Sequence, residues 1–147
     1  MAYNSVRLLY GVELPPIVRR IVLDFGDRHR FEGTSSGLAS SVVFWAAITN
    51  KTVPDHWAFT GGVDHLGNVT SVDDVVDSLY ACLAGRKEKL MMCAADTHQV
   101  PEEFLDFVIP VTNLTDAFMR IEHRIQWNRR LRNILNAPCS RGSSADS

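Results

Sequence analysis

The chain has 147 residues, 46% hydrophobic and 22% charged, with 15 basic against 17 acidic side chains and a formal net charge of −2. That is the composition of one ordinary globular domain with enough chain for a real core. It excludes a globally basic nucleic-acid binder and an acidic disordered chain, and no apolar run approaches the ~20 residues of a membrane span.

In chain order, Val6 to Leu14 has strand composition and Pro15-Pro16 ends it, because proline lacks the ladder donor and restrains its neighbour. Ile17 to Phe25 resumes as a second strand, and Gly26-Asp27 signals a turn. A helix is expected from about Ser36 to Thr49; its apolar residues run nearly all round, so it should be buried on a sheet. Trp57 to Thr60 reads as a buried strand, and Gly61 to Val69 as a hairpin turning at Gly67-Asn68.

A helix over about Asp74 to Leu83, capped by Ser71 or Asp73, stops at Gly85. Lys89 to Ala94 is a short core strand, Val100 to Leu105 a brief helix with Pro101 in its first turn, and Val108 to Val111 another strand. Leu114, Phe118, Ile121 and Ile125 form one helical stripe, which Trp127, Leu131 and Ile134 continue on a rotated face. Asn113 or Thr115 caps this helix, and Arg120, Arg124, Arg129, Arg130 and Arg132 give it a basic exterior. The expected order is β-β-α-β-β-α-β-α, an α/β fold with helices against a mixed sheet. It makes one domain over residues 1–136, including the Arg-rich helix 114–136, with a disordered tail at 137–147.

The three cysteines, Cys82, Cys93 and Cys139, lack metal-type spacing and read as reduced thiols. With no signal-peptide pattern visible at the N-terminus, the expected setting is intracellular, in the cytoplasm. The histidines, His29, His56, His65, His98 and His123, show no ligand spacing, so no metal is expected. The glycine pairs lack the Lys-Ser/Thr of a phosphate loop, so no nucleotide or other cofactor is expected either.

The chemistry centres on Gly33-Thr34-Ser35-Ser36-Gly37, a glycine-flanked serine turn opening a helix. Unpaired N–H groups at a helix start can stabilise an oxyanion, which is half of what a serine nucleophile needs. The bland reading is that Ser35 is the helix N-cap. The stretch also fits G-x-S-x-G literally, but Asp96 and His98 stand too close together for the triad of that elbow.

Three segments carry a family resemblance. Glu32-Gly33-Thr34-Ser35-Ser36-Gly37 is similar to the nucleophile segment Asp-Gly-Pro-Ser-Ala-Gly of the proteolytic domain of Lon-type ATP-dependent proteases, which are Ser–Lys dyad peptidases. Ala58-Phe59-Thr60-Gly61-Gly62 resembles that family's Ala-Met-Thr-Gly-Glu. The run from Gly67 to Leu79 resembles its Gly-x-Val-Leu-Pro-Val-Gly-Gly-Ile-Lys-Glu-Lys-Leu, with spacing held from Thr60 onward. The resemblance covers about Ile17 to Ile121 and leaves the Arg-rich extension outside it.

It implies the Lon proteolytic-domain fold, of ribosomal-S5-domain-2-like topology, with Ser35 on the nucleophile and Gly33, Ser36, Gly37, Thr60 and Gly61 as its supporting turn. It also implies polypeptide partners, a homo-oligomer or an ATPase partner.

Where the family carries the dyad lysine, this chain carries Val76, and the glycines before it become Asp73 and Asp74. The dyad lysine works neutral, as a base for the serine proton; valine accepts no proton. Lys87 and Lys89 lie farther on, roughly 15 Å at ~1.5 Å per helical residue. Asp73, Asp74, His56 and His65 are the other stand-ins. The expectation is a degenerate peptidase-like scaffold that binds protein. The alternatives are an active serine endopeptidase using Ser35 with a non-standard base, and a nucleic-acid module using the Arg120–Arg132 helix, which the overall acidic balance disfavours.

Overall fold

The computed structural model describes residues 35–138. The strands expected over Val6 to Phe25, together with Gly33 and Cys139, lie outside the described residues. Helix α1 (Gly37–Thr49) is followed by strand β1 (Trp57–Phe59), a hairpin of β2 (Gly62–Val63) and β3 (Val69–Thr70), helix α2 (Val75–Ala84) and strand β4 (Lys89–Cys93). Two 3₁₀ segments (Ala94–Gln99 and Glu102–Phe107), strand β5 (Val108–Val111) and helix α3 (Leu114–Asn136) complete the described chain.

The sheet has the order β1-β4-β5 and is parallel, with Phe59 opposite Met91 and Met91 opposite Ile109. The hairpin forms a separate antiparallel pair, so the architecture is mixed α/β. Parallel neighbours need crossovers. The hairpin and α2 supply the first, and the 3₁₀ segments the second.

Side-chain alternation along the strands divides the core in two. Trp57, Met91, Cys93 and Val111 join Leu38, Val42 and Trp45 of α1 and Leu114, Ala117, Phe118 and Ile121 of α3 on one face. Leu90, Met92 and Val108 join Val75 and Leu79 of α2, with Phe104 and Phe107, on the other. So α1 and α3 cover one side of the sheet, and α2 and the second 3₁₀ segment cover the opposite side. Pro110, which has no N–H to give a ladder, sits in β5 at the end of the strand order.

Several expectations meet a different local solution. The hairpin turns over His65-Leu66 rather than Gly67-Asn68, because the Asp64 carboxylate accepts the amides of Leu66 and Asn68, both at 2.9 Å, and organises the loop itself. Gly67 contributes the left-handed backbone, at φ 85°, that closes it. Ser71 and Asp73 do not cap α2: the N-cap is Asp74, without a side-chain cap bond, and the Ser71 hydroxyl is bound elsewhere. The brief helix expected from Val100 is two 3₁₀ segments, on either side of Val100 and Pro101. Helix α1 is not buried all round; Val43 is half exposed among the described residues. Asn113 does cap α3, accepting the Asp116 amide at 2.8 Å.

Candidate functional site

The serine turn is built against the end of β1. The carbonyl of Ser35 accepts the Gly61 amide at 3.0 Å, and the carbonyl of Gly61 accepts the Leu38 amide at 2.9 Å. Thr60 is buried, and its amide continues the parallel ladder onto the Met91 carbonyl at 2.9 Å. Gly37 lies so close to the next strand that a Cβ there would stand 2.8 Å from the Val63 nitrogen. Ser35, Ser36, Gly37, Thr60 and Gly61 are thus brought together.

The N-cap of α1 is Ser36, in helical backbone geometry and without a side-chain cap bond. The N-cap role expected for Ser35 therefore does not hold. Inside the first turn, the fully buried Ser41 donates its hydroxyl to the Gly37 carbonyl at 2.9 Å. An oxyanion needs free amides at the helix start; here the Leu38 amide is already engaged by Gly61.

Val76 enters through the neighbouring strand. Asp96, in the 3₁₀ segment that follows β4, is 1% exposed; it accepts the Ser71 hydroxyl and the Val72 amide, the latter at 3.1 Å, and the Gln99 side chain at 3.4 Å. These bonds hold the segment that leads into α2. Gly61 follows β1 and Asp96 follows β4, and β1 pairs with β4. The starts of α1 and α2 are therefore anchored at the carboxyl ends of adjacent parallel strands, the edge where open α/β sheets place ligands. Val76 is partly buried there, beside the fully buried Val75.

Among the described residues, no ionisable side chain hydrogen-bonds the Ser35 hydroxyl. None of the stand-in bases makes a hydrogen bond to Ser35 among the described residues. Lys89 donates its ammonium to the Asp106 carbonyl. Lys87 is exposed beyond the far end of α2. His65 is exposed at the hairpin tip, His56 is exposed before β1, and Asp73 and Asp74 are both exposed. The residues of the G-x-S-x-G alternative do not meet Ser35 either: Asp96 holds Ser71 and Val72, and the carbonyl of Ala95 accepts the His98 Nδ1 at 2.8 Å.

Sequence reasoning weighed Asp96 only as a triad acid and missed its anchoring role. Its one signal is a carboxylate shortly after an apolar strand, and its partner Ser71 lies 25 positions away. Burial pushes the Cys82 thiol up from its ordinary value, with Lys87 opposing.

A cavity of about 620 Å³ opens at the other end of α1, between Asn50–Asp55 and α3, away from the serine turn. Among the described residues, no group of three or more His, Cys, Asp or Glu converges on a metal position, and no helix is long and apolar enough to cross a membrane. A scan against protein-family models finds no match to this chain, and a search of the curated proteins finds none.

Proposed function

We propose that the chain is a Lon-like peptidase domain that has lost its chemistry and serves as a protein-binding scaffold, of the fold its resemblance implies. One observation carries the reading: Val76, an alkyl side chain, stands where the resemblance requires the base. Losing a member of a catalytic triad costs several orders of magnitude in rate, leaving the residual that binding and oxyanion donors supply. Two further features support it. The Leu38 amide is already engaged by the Gly61 carbonyl, which removes one donor from any oxyanion site. The serine turn keeps its bracing to Gly61 and its close packing on Val63, as expected of a surface kept for shape.

A fluorophosphonate probe on the full chain tests it. The expected result is no Ser35-dependent labelling; stoichiometric labelling that Ser35→Ala abolishes would overturn it. Val76→Lys supplies the complementary arm. Gain of hydrolysis of a short unstructured peptide, lost again on adding Ser35→Ala, is the result expected of inherited dyad geometry.

A further inference from the structure

Helix α3 is buried only over its first half. Its first half buries Leu114, Ala117, Phe118 and Ile121. From Arg129 to Asn136 every residue is exposed, a stretch of roughly 10 Å at ~1.5 Å per residue that borders the open cavity beside Asn50–Asp55 and is called the overhang below. Trp127, Leu131 and Ile134, spaced so as to share one side of the helix, are 49%, 39% and 70% exposed. The arginines change character along the helix. Arg120 pairs with Asp116, and Arg124 with Glu88. Glu122 is taken by Lys51. Arg129, Arg130 and Arg132 meet no carboxylate among the described residues, and Arg129 and Arg132 line the cavity beside Asn50–Asp55.

The opposite charge sits on the opposite face of the sheet. Asp73, Asp74 and Asp77 at the start of α2, and Glu102, Glu103 and Asp106 in the second 3₁₀ segment, are all exposed. The edge-on contact of Tyr80 with Phe104, at 6.5 Å between ring centroids, joins the two elements into one face. That face carries its own exposed apolar groups, Tyr80 and Leu105. The Lys89 ammonium, bound to the Asp106 carbonyl, borders it.

We infer that the α3 overhang of one copy docks on the acidic α2 face of a second copy. The two surfaces match in charge and in apolar content, and they lie on opposite sides of the sheet, so they meet between molecules rather than within one. A symmetric contact of overhang with overhang would set Arg129, Arg130 and Arg132 against their own copies. The contact is therefore head-to-tail, closing into a ring or propagating as a filament according to its rotation. The chain's other segments do not offer this match: residues 1–34 carry five arginines against four carboxylates. The inference does not rest on the chemistry of Ser35.

Sedimentation of the full chain over a concentration series tests it, with circular dichroism to verify the fold of each variant. Self-association at low salt that weakens as salt rises is expected. Two charge reversals, R129E/R130E/R132E and E102K/E103K/D106K, should each weaken association at least about tenfold. An equimolar mixture of the two should restore it, because each reversed surface then finds its complement on the other variant. A wild-type chain that stays monomeric overturns the inference, including one that instead binds RNA or anionic vesicles through the same arginines. So does association that either reversal leaves unchanged, or two monomeric variants whose mixture stays monomeric.

Discussion

The amide of Gly61 donates to the carbonyl of Ser35 at 3.0 Å, and the return bond from Leu38 to the Gly61 carbonyl makes the brace two-sided. The geometry disfavours a side chain at Gly61 and at the neighbouring Gly37. Gly61 has φ +145°, where a side chain is strained, and its Cβ would stand 3.0 Å from Val69 Cγ1. At Gly37 the obstacle is backbone, the Val63 nitrogen at 2.8 Å, which no rotamer change can relieve. Gly37→Ala and Gly61→Ala should each cost about 1–3 kcal/mol in urea unfolding. Substitutions costing less than about half a kcal/mol would show that the turn does not press on β2 as described.

Asp96 should matter more to stability than its isolation in the sequence suggests. Removing it leaves the Val72 amide unpaired in a buried setting and releases the more exposed Ser71 hydroxyl. Asp96→Ala should cost about 2–4 kcal/mol and Ser71→Ala about 1 kcal/mol. Chemical denaturation of the two single variants and the double variant should return a coupling of at least about 0.5 kcal/mol. Strict additivity would mean that the two side chains do not share a bond.

The hairpin supplies a pH signature. Hydrogen bonds from the Asn68 backbone and then its side chain hold the Asp64 carboxyl below its ordinary value of 3.8. Its folded value is thus lower than its unfolded one, so its contribution is present above the unfolded value and fades as pH falls through the folded value. The carboxylate is partly exposed and its bonds stay within the hairpin, so the effect is local to the loop. Carboxyl titration by NMR should find Asp64 below 3.8 in the wild type. Asn68→Ala, which removes the side-chain donor, should move it upward; an unchanged titration would deny that donor its role.

The elements that could be read from sequence are those whose buried faces repeat. The stripe Leu114, Phe118, Ile121 marks α3, and the apolar runs at Trp57 and Leu90 mark sheet strands, because burial imposes the period directly. What stayed hidden is competition between polar groups. Ser71 looked like a helix cap, but Asp96 claims its hydroxyl across 25 positions. Gly67-Asn68 looked like the turn, but the Asp64 carboxylate centres it on His65-Leu66. The candidate site divides the same way. Contiguous motif residues from Ser35 to Gly37 and Thr60 to Gly61 come together, whereas the anchoring of α2 beside β4 depends on a carboxylate that no spacing rule singles out.

Trp45 links the two helices that share one face of the sheet. Its ring stacks on Phe118 with centroids 5.0 Å apart and planes 6° from parallel, and the Lys51 ammonium lies 5.5 Å from its centroid. Lys51 is also bound to Glu122, so α1, the loop after it and α3 converge on this indole. Trp45 is 2% exposed, and truncation would leave a void that neighbours on three elements cannot fill together. Trp45→Ala should cost about 3–5 kcal/mol in chemical denaturation. Trp45→Phe keeps an aromatic face against Phe118 and should cost about half as much or less. If the two variants lost equal stability, stacking and burial of the ring would not be what holds α3 to α1.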